Sequence, residues 1–276
     1  MTWSLNLVRL VLDRRELMRM ARRHGLGRGV DEGYLLHAGL AQLFATSSQP
    51  ARVPLQTFAL DDTLRQAREH PELVFLLAYS EFDEAALLHR MGASVQSLVR
   101  CCESHCVPSI AAGMRAAFRV RVCPIVRTRL PVTTQGVASD GGPSRIREVD
   151  AWLTSPEAQS GRAGGAIESR LPFEHSAHVW SGREAVYGRW VARELARSHA
   201  AVLEGPPRMS AFKRDRLYRR GVESRRVLER PNAVMEGVLR VETEEGFRTL
   251  LHRGLGRHRA FGFGMLLLDR PQADSC

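Results

Sequence analysis

The chain has 276 residues, 44% of them hydrophobic, and its 40 Lys and Arg against 30 Asp and Glu give a formal net charge of +10. That length can bury a core in one large or two smaller domains, and that charge draws a polyanion such as nucleic acid, or an anionic membrane surface. The longest apolar runs, around residues 73–79 and 265–268, are far too short to span a bilayer. The opening Met-Thr-Trp-Ser-Leu-Asn lacks the basic start and apolar core of a secretion signal, so a cytoplasmic location is expected.

In chain order, residues 4–12 place Leu5, Leu7, Arg9 and Val11 at alternate positions, as a half-buried strand does. Residues 19–29, rich in Arg and Gly, read as a loop. Asp31 is a good N-cap for a helix reaching about residue 45, with Leu36, Leu40, Leu43 and Phe44 as its apolar stripe. Residues 73–79 read as a buried strand, 83–102 as a helix, and 118–126 as a strand with Arg119 and Arg121 on its polar side. Residues 131–144 and 160–166 read as loops, with a short helical piece near 149–153 between them. A clearer helix covers 183–197, with Val186, Trp190, Val191 and Leu195 inward. Residues 233–241 read as a strand. Thr243 then caps a helix with Glu244 and Glu245 in its first turn and Phe247, Leu250 and Leu251 on its buried side. A glycine turn at 254–256 leads into a last strand over 261–268. Each half is compatible with an α+β sandwich, with a boundary near residue 117.

Cysteines at 101, 102, 106, 123 and 276 are odd in number and follow no disulfide framework, so reduced thiols are expected. Cys101, Cys102, His105 and Cys106 suggest metal ligands, but no second ligand pair follows at zinc-finger spacing. Thiols on a helix are the better reading, and neither a metal nor a cofactor is expected.

Three segments carry chemistry. The first holds Arg253, Gly254, Gly256, Arg257, His258 and Arg259, followed by Phe261, Gly262, Phe263 and Gly264. A glycine-rich loop exposes backbone N–H groups and lets a phosphate approach closely. It is no dinucleotide fingerprint, because here the glycines follow a helix and open a strand. A helix C-cap with a tight turn accounts for one or two of these glycines; four glycines beside three arginines favour phosphate contact. The second segment puts Tyr34 and His37, three residues apart, on a stripe at the core's edge of the first helix. A histidine's unperturbed pKa near 6.5 suits proton transfer. The third is residues 208–226, where Arg208, Lys213, Arg214, Arg216, Arg219, Arg220, Arg225 and Arg226 face only Asp215 and Glu223. Lys213 is the only lysine of the chain, and arginine forks onto phosphates and stacks on bases better than lysine does. The plain alternative is a solvated basic helix or flexible loop.

The run from Gly254 to Leu268 resembles the C-terminal signature of the type I-E CRISPR repeat endoribonucleases, the CasE lineage of the RAMP superfamily. The preceding residues 234–241, the helix with Phe247, and Tyr34-Leu-Leu-His37 with Leu40 and Phe44 match the same pattern. The resemblance is close over 231–268, moderate over 1–46 and thin between. It implies an α+β fold of two tandem ferredoxin-like domains with a helical insertion: 1–116 with the catalytic helix, and 117–276 with a basic hairpin and the glycine-rich loop. It implies metal-independent cleavage of CRISPR precursor RNA at the base of the repeat hairpin, by 2′-OH attack, leaving a cyclic phosphate. The enzyme then stays on the mature guide RNA beside other effector-complex subunits.

By the same resemblance His37 takes the catalytic histidine's place and Tyr34 that of its partner, and residues 208–226 dock the repeat hairpin. No lysine stands near His37 in sequence, so arginine must supply the positive charge, with Arg22, Arg23 and Arg28 the nearest in sequence. Type IV relatives, some thought to rely on arginines, are similar, and both assignments stay open. The rival from another class is a non-catalytic RNA-binding subunit that caps a guide RNA. A metal-dependent DNase is a poorer third choice, because its acidic cluster is absent.

Overall fold

The computed structural model describes residues 4–23, 32–45, 53–61, 65–92, 97–130, 145–160, 182–197, 199–220 and 225–269. The first half begins with strand β1 (Asn6–Asp13), followed by helices α1 (Arg14–Arg23) and α2 (Glu32–Leu43), strand β2 (Phe58–Leu60), the short helix α3 (Arg65–Glu69), strand β3 (Leu73–Ser80), helix α4 (Glu84–Arg90) and strand β4 (Val99–Cys106). These strands form an antiparallel sheet in the order β2-β3-β1-β4. This is the βαββαβ order of a ferredoxin-like unit.

Local chemistry sets the helix starts. Asp13 Oδ1 accepts from the backbone N–H of Arg15 and Glu16 at 2.8 and 3.0 Å, so α1 begins where β1 ends. The Arg100 guanidinium, 2.6 Å from Asp13 Oδ2, and these N–H groups hold that carboxyl below its usual range. Helix α1 packs Leu17 and Ala21 inward. Its fit against α2 is close: a Cβ on Gly39 would lie 2.7 Å from Leu17 Cδ1. Leu36, Leu40, Leu43 and Phe44 are buried on α2, as their spacing predicts. Each such side chain contributes about 1.5–3 kcal/mol of transfer free energy.

Several expectations need correction. Residues 19–23 belong to helix α1, not a loop; the rest of that stretch lies outside the described residues. In β1 the most buried face is Val8, Leu10 and Leu12, under the helices, whereas Leu5 and Leu7 turn to the second core. The stretch 83–102 is not one helix. It is α4, capped by Asp83, and then strand β4, which carries the cysteines. The ladder to β1 puts Cys102 opposite Leu10 and buries it, while Cys106 is exposed. Burial pushes the Cys102 thiol up to about 11, as befits an inert structural side chain.

The second half runs β5 (Arg115–Val122), β6 (Ile125–Leu130), β7 (Arg145–Asp150), α5 (Pro156–Ser160), α6 (Arg183–Ala196), β8 (Ala201–Leu203), β9 (Arg208–Arg220), β10 (Arg225–Val241), α7 (Glu244–Arg253) and β11 (Leu266–Leu268). Its sheet has the order β11-β5-β10-β8, with β9 also paired to β10. With α6 and α7 as the two helices, this repeats the ferredoxin-like order. The two-stranded β6–β7 ladder and α5 are inserted between β5 and α6. The strand expected over 118–126 is therefore two strands, and the helical piece near 149–153 is the end of β7 followed by a 3-10 turn at Trp152–Thr154. The loop expected over 131–144 lies outside the described residues, as does all but residue 160 of 160–166.

Thr243 Oγ1 accepts from Gly246 N–H at 3.3 Å and caps α7 as expected. The last strand is only three residues long, because Gly262 and Gly264 have φ of +83° and +84°, which an extended ladder excludes. Val186, Trp190, Val191 and Leu195 of α6 are buried with Phe247, Leu250 and Leu251 of α7 in a core that also takes in Leu5 and Tyr79. Among the described residues no helix is long and apolar enough to cross a membrane.

Candidate active site

The segment after α7 folds back against α2. A 3-10 turn at Arg259–Phe261 places the Phe261 ring among three others. It stacks on Tyr34, with centroids 6.0 Å apart and planes 8° apart. His37 meets it edge-on at 5.1 Å, and His258 lies 6.0 Å away. The helix with Tyr34 and His37 and the glycine-rich turn therefore form one place. In the sequence they stand as separate features, and nothing there gives Phe261 a role.

His37 opens onto a cleft of about 220 Å³ shared with Leu55, Gln56, Phe58 and Ala260. Burial pushes its pKa below the ordinary 6.5, which favours the neutral ring. Arg259, next to Ala260, donates from Nη1 to the Arg253 carbonyl at 2.8 Å. Burial lowers its pKa, and the nearby charges of Arg253 and Arg257 lower it further.

The glycines of the turn have packing reasons. Gly256, at φ +69°, lies against Trp190; a Cβ there would come within 2.3 Å of the indole. Gly254, at φ +72°, would meet the Gly264 carbonyl at 2.8 Å. The Leu255 N–H donates to that carbonyl at 2.8 Å, and Thr57 Oγ1 donates to the Phe263 carbonyl at 2.9 Å. The turn is thus sewn to the loop before β2. Steric need explains all four glycines, more than the one or two expected of a C-cap.

Glu148 of β7 holds the basic side of the turn. Its carboxylate takes Arg230 Nη2 at 3.0 Å, Arg257 Nε at 3.4 Å and His258 Nε2 at 3.2 Å. His258 sits at φ +59° with its side chain only 18% exposed. Burial lowers its pKa, and Glu148 works in the opposite direction. Two of the residues expected to meet phosphate are therefore already paired with a carboxylate, and nothing in the sequence marked Glu148.

Residues 208–220 and 225–226 belong to the antiparallel strands β9 and β10 and not to a helix, with Arg219 opposite Arg226 and Arg220 opposite Arg225 in the backbone register. The side chains of Arg216, Arg219, Arg220, Arg225 and Arg226 lie outside the described residues. Lower on the hairpin, Arg208 pairs with Glu236 at 2.8 Å, Lys213 with Asp215 at 3.0 Å and Arg214 with Glu229 at 4.0 Å, all with well-exposed basic groups. Asp215 also receives Asn232 Nδ2 at 2.6 Å and Arg121 Nη2 at 3.2 Å, and Arg121 lies over the Phe263 ring. This network fixes the hairpin's base to the glycine-rich segment. A cleft of about 380 Å³ runs from Phe212, Lys213 and Arg119 to Glu32 and Gly33 at the start of α2.

Arg22 and Arg23 end α1 as exposed side chains, and no described contact joins either to His37. Arg22 lines another groove, with Met18, Arg19 and Pro71. Arg28 lies outside the described residues. Among the described residues no group of three or more His, Cys, Asp or Glu side chains is placed to hold a metal ion.

Two ferredoxin-like units in tandem, with a basic hairpin and a histidine-bearing helix closed by a glycine-rich turn, define the class of protein. The chain belongs to the CRISPR-associated protein family, whose sequence model matches residues 5–270. Solved structures show the same fold. A Cse3 CRISPR endoribonuclease bound to a 19-nucleotide RNA is 19% identical, with 97% of this chain and 100% of that one covered and a TM-score of 0.56. Thermus thermophilus Cse3 bound to an RNA representing a pre-cleavage complex is 20% identical, with 97% and 100% covered and a TM-score of 0.52. Cas6e of Escherichia coli K-12 is 18% identical, with 95% and 98% covered and a TM-score of 0.51. No curated protein compared with the chain matches it.

Proposed function

We propose that this protein is a metal-independent endoribonuclease that binds a CRISPR repeat stem-loop, cuts precursor RNA at the base of the hairpin and stays on the mature guide RNA within an effector complex. The observation that carries the reading is the packing of Tyr34 and His37 against Phe261. It joins the helix that bears the acid–base group to the arginine-bearing turn, in a chain of this family.

In this reading neutral His37 takes the proton of the attacking 2′-OH or, once protonated, gives it to the leaving 5′-oxygen. Tyr34 orients the 2′-OH or the phosphate. Arg257 and Arg259 stabilise charge on the phosphorane, and Arg23 at the end of α1 is a further source of positive charge. The β9–β10 hairpin, with Arg208, Lys213 and Arg214 at its base, grips the stem through phosphates and shape, as A-form RNA requires. The similarity of fold to endoribonucleases solved with RNA supports the assignment.

The test is cleavage of a repeat stem-loop RNA in the presence of EDTA, beside the same RNA with one 2′-deoxy at the cut. The expected result is cleavage of the first to a 5′-hydroxyl and a cyclic phosphate, and binding without cleavage of the second. Loss of activity in EDTA, or cutting of the deoxy RNA, overturns the mechanism.

A further inference from the structure

A groove of about 950 Å³ lies beside the His37 cleft. Its sides come from β6, α6 and the glycine-rich turn, which supply Arg127, Arg193, Arg197, Arg257 and Arg259. Gln56 and Ala260 line both this groove and the cleft that His37 opens onto, so the two adjoin.

The charge in the groove is one-sided. Its two acids are already held, Glu148 by Arg230, Arg257 and His258, and Glu194 by Arg197 at 2.8 Å. Arg127 and Arg193 are exposed and have no ion-pair partner among the described residues. Arg197, the C-cap residue of α6 with a still-helical backbone, is four after Arg193, so the two stand one above the other, about 6 Å along the helix axis. Trp190 anchors this wall: its Nε1 donates to the Ile125 carbonyl at 3.2 Å while its ring backs Gly256. A rigid basic row that leads to a proton-transfer group is the arrangement that tracks a phosphate backbone. The crowding of Arg253, Arg257 and Arg259 points the same way, since an anion would relieve it.

We infer that this groove seats the single-stranded RNA adjoining the cleaved linkage, with Arg127, Arg193 and Arg197 holding its phosphates. The inference rests on the endoribonuclease reading and names the part of the substrate that the hairpin of β9 and β10 does not hold.

The experiment compares four RNAs by fluorescence anisotropy: a repeat stem-loop, the same stem-loop with an oligouridine extension on the 5′ side, the same with one on the 3′ side, and oligouridine alone. Wild-type protein should bind one of the extended RNAs at least about tenfold tighter than the bare stem-loop. In Arg193→Gln with Arg197→Gln the gain should vanish, and the bare stem-loop should bind as before. The salt dependence on the extended RNA should also fall, by about 1.4 in the log–log slope for two lost phosphate contacts. A gain that survives the double substitution, or no gain in the wild type, overturns the inference. Should the stem-loop be neither bound nor cut while oligouridine still needs Arg193 and Arg197, the endoribonuclease reading falls and the groove stands.

Discussion

The imidazole of His37 meets the ring of Phe261 edge-on, with centroids 5.1 Å apart and planes at 63°. One belongs to the first ferredoxin-like unit and the other to the last turn of the second, so the position of His37 depends on the docking of both.

Replacing Phe261 with Ala should therefore lower the cleavage rate more than it lowers affinity. Release of the Tyr34 and His37 rings by about 1 Å is worth about 10²-fold in rate. Single-turnover kinetics and a binding titration on one RNA separate the two effects. Equal losses in both would mean that Phe261 only supports the RNA-binding surface.

The His37 pKa sets a pH prediction. Burial places its folded value below the unfolded value near 6.5. With His37 acting as the base, the neutral form is favoured at pH 7, and activity declines as pH falls through the lowered value. The same shift leaves stability undiminished above about 6.5 and erodes it as pH drops toward the folded value, because the unfolded state then binds more protons. A pH–rate profile whose acid limb lies below 6.5, and disappears in His37→Ala, bears this out.

Glu148→Gln should release Arg257 and His258 together. The carboxylate raises the His258 pKa against burial, so the substitution lowers it further. An NMR titration of the His258 ring reads that shift directly. Arg230, with its side chain only 11% exposed, also loses its anion, at a cost of about 2 kcal/mol in stability.

Gly256→Ala combines a left-handed φ with a Cβ placed 2.3 Å from Trp190. It should destabilise the fold by about 2–3 kcal/mol, seen as a lower thermal midpoint, and loosen the turn that carries Phe261.

The sequence displays what local physics decides. The buried stripes of α2, α6 and α7 follow from their 3.6-residue spacing, and the Thr243 cap from its residue type. Residues 19–23 read as loop because their arginines hid the Leu17–Ala21 pair, which is the buried face of α1. The cysteine segment is a strand rather than the end of a helix because it pairs with β1, a contact nearly a hundred residues back that local sequence does not show. At the site, residue type and family likeness single out Tyr34, His37 and the turn, but their meeting at Phe261 is not written in the sequence. Glu148 was not legible there, because it meets His258 across 110 residues of sequence and only the fold brings them together. The same holds for Arg193 and Arg197, which on their own read as the polar side of an amphipathic helix.

The most direct measurement of the central claim is single-turnover cleavage of a repeat stem-loop RNA by His37→Ala protein, with affinity measured in parallel. The predicted result is a rate lower by about 10²–10⁴-fold with affinity within a few-fold of wild type. Unchanged processing by the variant would contradict assignment of the cut to His37.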